Sequence, residues 1–412
     1  MHLDASERLP AAIHNIGVRS TRAMIDLGAI SENIRIIRQS LSAGTNVIAV
    51  VKANAYGHGA LFIARAALAV GASMLGVAAV NEGIVLRRQG VRAPILVLGP
   101  ADSSQYIAAV ENGLTLAVNS TAMAAQINTI ANESGRTAHV HLKIDTGMHR
   151  YGCNPDDAAA IASSIAAMPQ LWLEGVFTHF ATADEVDESA TLAQAERFDQ
   201  ALDAIATAGV PVQIRHAANS AATIRSRRYD YDAIRLGIAM YGLAPSEDVP
   251  LLPGMTPALK LVSRIAQVSN LQAGETVSYG GTYVATDDER IALIPCGYAD
   301  GYRRSLSNAG SIALGDELLP VRGRVCMDQL IVGILDGVSV APGDQVTLIG
   351  TGDDAAPTAT ELAASLGTIN YEIGTSISAR VPRVYMRNGQ IVAVDDLTGP
   401  LEIPATQEYR GH

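Results

Sequence analysis

Short apolar runs alternate with alanine-rich segments of helical composition along the first 250 residues. The apolar runs predict eight strands, at 47–51, 74–80, 95–98, 114–118, 140–145, 175–179, 212–216 and 234–240. Helical segments lie between most of these strands, and a further helix at 31–41 precedes the first. Eight strand–helix alternations in about 200 residues are typical of an α/β protein with a (β/α)8 TIM-like barrel. The main alternative is a doubly wound open sheet, but the Gly-x-Gly-x-x-Gly turn that usually follows its first strand is absent.

The pattern changes after a linker that contains four prolines, Pro245, Pro250, Pro253 and Pro257. Beyond it, short β-type runs separated by turn residues predict a mostly β C-terminal domain with one helix. The runs lie at 261–268, 276–279, 291–295, 311–314, 321–325, 330–335, 345–349, 384–387 and 391–394, and the helix at 358–366. An early strand at 23–27 is left over from the barrel and could pair with this domain. We predict an N-terminal extension at 1–20, a barrel at 21–250, a β domain at 258–400 and a tail at 401–412.

Composition and charge narrow the classes of protein that this pattern describes. Hydrophobic residues make up 48% of the chain and charged residues 17%, as in ordinary soluble globular proteins. The net charge of −11 argues against a nucleic-acid surface, and no apolar run reaches the roughly 20 residues that span a bilayer. The three cysteines are scattered, and the sequence shows neither a zinc-binding pair nor a signal peptide. We therefore expect a cytoplasmic protein without nucleic-acid, membrane or metal partners.

Ionisable side chains stand at or near the ends of the predicted barrel strands. Lys52 follows the first strand, and five others follow or lie in later strands: Lys143, Asp145, His179, His216 and Arg235. Because a barrel builds its active site at the carboxyl ends of its strands, we expect these groups to meet at one rim. Lys52 alone has two interpretations, a nucleophilic amine whose pKa burial lowers or a lysine that extends its charge into water. Six ionisable groups at one rim favour the first, since burying them without a function is costly.

The segment after the seventh strand, together with a glycine in the eighth, predicts a phosphate site. Residues 216–222 run from a strand into a helix with Asn219 or Ser220 as its N-cap, and Gly237 allows close approach of the backbone. Barrels often bind phosphate with amides at these two loops. Ser220 alone is more simply explained as an N-cap. In combination with Gly237 and the strand-end Lys52, we favour a phosphate site.

The β domain contains a second group of unusual residues, in the turn-rich segments 277–283, 296–302 and 323–329. Most tyrosines there, including Tyr283 and Tyr302, are best explained as amphipathic packing at the edge of the domain. Tyr279 is the exception, because its glycine-rich segment offers little to pack against. We predict that this segment positions the Tyr279 hydroxyl group for chemistry.

Residues 51–59, Val-Lys-Ala-Asn-Ala-Tyr-Gly-His-Gly, resemble the pyridoxal-phosphate attachment segment of alanine racemases. Eight further segments resemble that family in the same order, at 143–150, 178–184, 216–220, 235–242, 278–280, 297–301, 326–329 and 371–373. Together they cover the chain from about residue 21 to 395. The resemblance implies a homodimeric pyridoxal 5'-phosphate enzyme that interconverts L- and D-alanine and supplies D-alanine for peptidoglycan.

The resemblance also implies a role for each matched residue. Lys52 would hold the cofactor and then act as one acid–base group on the substrate Cα, while Tyr279 of the other subunit would act on the opposite face. Arg235 would face the pyridine nitrogen. The other cofactor contacts would come from Tyr56, His179, His216, Asn219, Ser220, Gly237, Ile238 and Tyr371. The amino-acid substrate would be held by Arg150, Tyr298 and the backbone at Met327, and a carbamate on Lys143 would orient Arg150.

Three other functions remain open from the residues. The nearest is a racemase of the same family for serine or a broader set of amino acids, because one or two substitutions near Tyr279 and Tyr371 would widen the pocket. Decarboxylases of the same barrel class place an acidic residue, rather than an arginine such as Arg235, opposite the ring nitrogen. A non-catalytic pyridoxal-phosphate-binding protein resembles a single barrel and would not need the domain that carries Tyr279.

Overall fold

A computed structural model describes residues 18–403 and divides them into two compact units. The barrel unit comprises residues 30–56 and 60–255, and the β unit comprises residues 18–29, 57–59 and 256–403. Of the predicted extension at 1–20 and tail at 401–412, residues 1–17 and 404–412 lie outside the described residues. No helix between residues 18 and 403 is long and apolar enough to cross a membrane.

The described chain begins with one strand and one helix, β1 (Arg22–Asp26) and α1 (Leu27–Ser40). The Asp26 carboxylate starts the helix, because its Oδ1 accepts hydrogen bonds from the backbone N–H groups of Gly28 at 2.7 Å and Ala29 at 3.1 Å. Buried isoleucines then recur at helical spacing along one face of α1: Ile30, Ile34 and Ile37. The boundary between the two units falls within this helix, after Ala29.

Eight parallel strands form the sheet of the barrel unit in the part of the chain that the structure describes. They are β2 (Asn46–Val50), β3 (Met74–Val77), β4 (Ile95–Val97), β5 (Thr115–Val118), β6 (Ala138–Lys143), β7 (Leu171–Phe177), β8 (Ile214–His216) and β9 (Ala233–Leu236). Their order in the sheet is β8-β7-β6-β5-β4-β3-β2-β9. Two backbone hydrogen bonds of 3.0 Å join its ends, from Asp232 N to Arg215 O and from Arg235 N to Ala218 O. The sheet is therefore a nearly closed barrel, and the predicted (β/α)8 architecture is confirmed.

Seven helices connect these strands within residues 60–225: α2 (Ala60–Ala69), α3 (Val80–Arg88), α4 (Tyr106–Glu111), α5 (Thr121–Glu133), α6 (Ala158–Ala166), α7 (Ser189–Thr207) and α8 (Ser220–Arg225). The strands read as continuous apolar runs because parallel strands of this kind are buried on both faces. Residues from four of them form one core cluster: Ile48, Met74, Leu96 and Ala233. Burying a large aliphatic side chain of this cluster stabilises the fold by about 1.5–3 kcal/mol.

The β unit has its own sheet, built mainly from the last 150 residues. Its further strands are β10 (Leu259–Arg264), β11 (Gln267–Leu271), β12 (Thr276–Val277), β13 (Tyr283–Val284), β14 (Glu289–Ile294), β15 (Ser311–Leu314), β16 (Glu317–Arg322), β17 (Leu330–Ile334), β18 (Gln345–Ile349), β19 (Arg383–Arg387), β20 (Gln390–Asp396) and β21 (Gly399–Glu402). Eleven described strands form one sheet in the order β11-β14-β17-β16-β15-β18-β10-β1-β19-β20-β21, and β12 pairs with β13. Strand β1 lies inside this sheet, where Met24 pairs with Lys260 and Val384.

The structure corrects three predicted segments of the β unit. The single strand expected at 261–268 is two strands, β10 and β11, which are not neighbours in the sheet. Where one helix was expected at 358–366, the described chain has α9 (Ala359–Leu366) and α10 (Asn370–Thr375), because the left-handed Gly367, with φ of +65°, ends the first helix. The strand expected at 276–279 stops at Val277. Its next residue, Ser278, has a φ of +63° and leaves the β region, so Tyr279 lies on a turn.

Candidate active site

Lys52 follows β2 and Val51 at the carboxyl end of the barrel. The next four residues, 53–56, are all left-handed, with φ of 52, 52, 54 and 53°. This conformation is disfavoured for residues other than glycine by about 1–2 kcal/mol each. Such a turn persists only where surrounding contacts hold it, and strained segments of this kind cluster at functional sites.

The Glu82 side chain, from the first turn of α3, holds this strained turn. One carboxylate oxygen accepts a hydrogen bond of 2.7 Å from Ala53 N, and the other accepts one of 2.7 Å from Ala78 N. On the other side of the turn, Asn54 Oδ1 accepts from Ala60 N at 2.8 Å. The residues after Lys52 are thus tied to the starts of two neighbouring helices.

We expect Glu82→Ala to lower the free energy of unfolding by about 1–3 kcal/mol, because backbone N–H groups at Ala53 and Ala78 lose a charged acceptor. Urea unfolding followed by circular dichroism measures the change. Glu133→Ala, at an exposed position at the end of α5, is the matched control. Equal stability of the two variants would contradict the clamp.

The Lys52 amine lies in an environment that favours its neutral form. Burial lowers its pKa, and the positive charges of Arg150 and Arg235 lower it further, although the Glu82 carboxylate acts in the opposite direction. The amine nitrogen is 5.9 Å from the centre of the Tyr56 ring. These surroundings favour a nucleophilic lysine over one that extends its charge into water.

Arg235 is a buried cation bound by two imidazoles. Its terminal nitrogens donate to His216 Nδ1 at 2.8 Å and to His179 Nδ1 at 3.0 Å, and also to the carbonyls of Thr178 and Ala217. Burial and the charge of Arg150 lower the pKa of Arg235 to about 9, so it stays charged at neutral pH. Burial, followed by the charge of Arg235, holds the pKa of both imidazoles well below its usual value, so both are neutral. Arg235, His179 and His216 therefore form one hydrogen-bonded group at this end of the barrel.

Ser220, Gly237 and Tyr56, three of the predicted cofactor contacts, lie close together near the start of α8. The Ser220 hydroxyl accepts hydrogen bonds from Gly237 N at 3.0 Å and Ala239 N at 3.3 Å. A Cβ atom added at Gly237 would lie 2.9 Å from the Tyr56 hydroxyl, so only glycine leaves this space open. The N-cap of α8 is Asn219, whose side chain accepts from Ala222 N, and Ile238 follows Gly237 in a buried turn. Ser220 is therefore not the N-cap, and its hydroxyl is directed to the Gly237 loop.

The two predicted site residues at the end of β6, Lys143 and Asp145, differ in their surroundings. Lys143 is buried, donates to Ile144 O at 3.0 Å and lies 5.2 Å from the centre of the Phe177 ring. Burial, followed by the charge of Arg235, lowers its pKa to about 7. The Asp145 carboxylate instead accepts from three backbone N–H groups of its own loop, at residues 147–149, so it orders the loop that leads to the exposed Arg150.

The remaining predicted site residues belong to the β unit. Tyr279 is 74% exposed, on a turn pinned where the Ser278 hydroxyl donates to Arg324 O at 2.6 Å. Tyr298 and Met327 are also exposed, on loops joined by the hydrogen bonds Tyr298 N to Cys326 O and Ala299 N to Met327 O, both 3.0 Å. Tyr371 lies in α10. Within this unit, the structure thus presents Tyr279, Tyr298 and Met327 to the outside.

Sequence reasoning missed three side chains of the barrel unit, the buried His141 and Phe177 and the partly exposed Glu174. His141 Nδ1 lies 2.8 Å from His216 Nε2, and the Phe177 ring stacks on His216 with 4.7 Å between centroids. The alternation of side chains along β6 would have predicted the position of His141. Residues 139, 141 and 143 of β6 are histidine, histidine and lysine, and alternate residues of a strand share one face.

Family models, related sequences and solved structures all indicate the same family for this chain. The family model "Alanine racemase, N-terminal domain" matches residues 25–245, and "Alanine racemase, C-terminal domain" matches residues 258–385. An alanine racemase of Symbiobacterium thermophilum is 45% identical over 369 residues, which cover 90% of this chain and 98% of that protein. A solved alanine racemase of Clostridium difficile has a TM-score of 0.87 at 38% identity, covering 92% of this chain and 99% of its own. That of Bacillus anthracis with bound L-Ala-P has a TM-score of 0.86 at 39% identity, covering 92% and 98%.

Proposed function

Because the chain belongs to the alanine racemase family and is a racemase that interconverts L- and D-alanine, we propose that it works with pyridoxal 5'-phosphate held covalently on Lys52. The observation that carries the proposal is the Lys52 amine of lowered pKa, in the same unit as the buried cation Arg235. The Ser220 hydroxyl, the Tyr56 hydroxyl and the open space at Gly237 fit a phosphate group. Asn219, Ile238 and Tyr371 would complete its contacts.

Bound pyridoxal phosphate acidifies the Cα–H bond of an amino acid by withdrawing electrons from Cα. Arg235 would face the pyridine nitrogen and keep it unprotonated, because a guanidinium that stays charged is a poor proton donor. By keeping the ring unprotonated, Arg235 would weaken the withdrawal of electrons from Cα. Arg235 would therefore favour return of a proton to Cα, and so racemisation, over transamination. His179 and His216 would hold Arg235 in that orientation.

Racemisation needs a proton donor or acceptor on each face of Cα. Lys52 Nζ would serve one face, and the Tyr279 hydroxyl of a second copy of the chain would serve the other. The exposure of Tyr279 and the pinned turn that carries it support a role toward another chain. We therefore propose a homodimer with shared active sites. Arg150 and the backbone at Met327 would hold the substrate carboxylate, and Tyr298 would also contact the substrate.

We also propose that Lys143 reacts with CO2 to give a carbamate that orients Arg150. In that step Nζ bonds to the CO2 carbon and loses a proton, leaving one negative charge in place of an amine. A pKa of about 7 leaves a large fraction of the Lys143 amine neutral at neutral pH, whereas an ordinary lysine is almost wholly protonated.

We expect native mass spectrometry of the intact protein to find a gain of one CO2, and the modified fraction to rise between pH 6 and pH 8 as the Lys143 amine loses its proton. Lys143→Gln, assayed in the same bicarbonate buffer, is the control that should not gain this mass. An unmodified Lys143 amine across that pH range would overturn the carbamate.

Incubation with L-alanine in deuterated water tests the function as a whole. We expect D-alanine that carries deuterium at Cα, because the proton returned to Cα comes from a group that exchanges with solvent. L-serine in a parallel reaction should turn over more slowly. Unlabelled D-alanine or a decarboxylated product would overturn the proposed chemistry.

We propose peptidoglycan as the destination of the D-alanine and the cytoplasm as the site of action. All three cysteines, Cys153, Cys296 and Cys326, are free thiols, and the first two are buried. Free thiols in a chain of this size suit a reducing compartment.

A further inference from the structure

The hydrogen-bonded group around Arg235 continues through the barrel interior, beyond the residues that the proposed function uses. We propose that His141 and Glu174 are positioning residues that fix the orientation of the His216 ring and, through it, the orientation of Arg235. The chain of contacts runs from Arg235 to His216, then to His141, and ends at the Glu174 carboxylate.

The donors and acceptors along this chain follow from its first member. Arg235 can only donate, so His216 Nδ1 must accept and His216 Nε2 carries the proton. That proton is donated to His141 Nδ1 at 2.8 Å. His141 Nε2 then carries the other proton and lies 3.4 Å from Glu174 Oε2, within ion-pair distance but without the geometry of a hydrogen bond. A cation at one end and a carboxylate at the other thus select one tautomer of each imidazole.

The surrounding backbone is shaped for the His141 ring. A Cβ atom added at Gly175 would lie 2.6 Å from His141 Nδ1, so this position of β7 must be glycine. The pairing of β6 with β7 also changes register between Val140 and His141. On the far side, Phe177 stacks on His216 with an angle of 4° between the rings. These features hold the two imidazoles rigidly, as a positioning role requires.

The charges along the chain agree with these donors and acceptors. His141 is fully buried, and burial lowers its pKa, so the ring is neutral at pH 7. Burial raises the pKa of the Glu174 carboxyl, but its contacts with His141 and His139 bring it below the usual value, so it is ionised. Glu174 lines a cavity at the amino ends of β5 and β6, where Arg87, Arg92 and His139 also lie.

The effect of His141 and Glu174 on catalysis rests on the proposed role of Arg235. The tautomers of His141 and His216 do not depend on that role. Two variants cut the chain at different points. Glu174→Gln removes the charge but keeps an acceptor oxygen, and His141→Asn keeps an acceptor for His216 but no longer reaches Glu174. His139→Gln is the matched control, because His139 is also 3.4 Å from Glu174 Oε2 but forms no hydrogen bond with His216 in the described part of the chain.

We expect each chain-cutting variant to lower kcat for alanine racemisation about tenfold without changing KM, because neither side chain touches substrate. The double variant should be no slower than the slower single one, since the residues act through one chain. His139→Gln should keep the full kcat. Additive losses, unchanged kcat in both variants, or an equal loss in His139→Gln would overturn the inference. Rates are to be normalised to the folded fraction from circular dichroism.

Solid-state NMR of the 15N-histidine-labelled protein, as purified, gives a readout independent of activity. We expect His141 and His216 to be neutral with the proton on Nε2, and the His141 Nε2 signal to shift in Glu174→Gln because the neighbouring carboxylate charge is lost. A proton on Nδ1 of either ring in the unmodified protein would overturn the inference. Absence of racemisation in a protein with the expected tautomers would instead overturn the proposed function.

Discussion

Lys52→Ala is expected to abolish racemisation, lowering kcat/KM by about 10⁴-fold or more. The substitution removes both the amine that would hold the cofactor and the acid–base group for one face of Cα. No other lysine can replace it by proximity along the chain, because the sequence contains only three, Lys52, Lys143 and Lys260. Racemisation measured by chiral separation of alanine in both directions gives the effect.

The small number of lysines makes a direct test of attachment sharp. Reduction of the protein with borohydride, followed by peptide mapping, should find the cofactor on the Lys52 peptide alone. Lys260→Ala is the matched control, because Lys260 forms an ion pair of 2.7 Å with Asp354. Burial lowers the pKa of Lys260, but the Asp354 carboxylate raises it above its usual value, so this amine stays protonated. The Lys260→Ala variant should keep full racemase activity. Cofactor on Lys143 or Lys260, or a Lys52→Ala variant that still racemises alanine, would contradict the assignment.

Tyr279→Phe is expected to lower racemisation by about 10³-fold while leaving cofactor attachment unchanged, because only the hydroxyl is lost. The variant should keep the acid–base group on one face of Cα. In deuterated water it should therefore exchange the Cα proton of one alanine enantiomer without forming the other. Tyr283→Phe, on the neighbouring strand β13 where the ring packs 4.6 Å from the Arg322 guanidinium, is the control and should racemise normally.

Mixing the two inactive variants tests whether a site is shared between chains. If Lys52 and Tyr279 of one site come from different chains, a mixed dimer of Lys52→Ala and Tyr279→Phe contains one intact site and one doubly altered site. Random reassociation should then restore about a quarter of the original activity. Unfolding and refolding the variants together, with each refolded alone as control, gives the measurement. No restored activity in demonstrated mixed dimers would place both groups in one chain.

Several features of the fold were predictable because their causes are local. The barrel strands are continuous apolar runs, since each is buried on both faces, and the helices between them are alanine-rich. Lys52, His179 and Arg235 could be placed at one end of the barrel because that topology brings the carboxyl ends of all strands together. Their roles came from the resemblance of nine ordered segments to one family, which the comparisons support.

Tertiary structure alone decided how these residues are held. The left-handed turn after Lys52 depends on Glu82, about thirty residues later in the chain. The predicted phosphate site at Ser220 depends on Gly237, which follows the next strand, β9. The contact of His141 with Glu174 depends on a change of register between two strands, which no local preference encodes. The pattern of apolar and polar residues, together with composition, determined the barrel, the β domain and the ionisable residues at the strand ends of this protein. Strand order, register and burial determined which of those groups meet and which protonation state each adopts, because these depend on contacts between residues far apart in the chain.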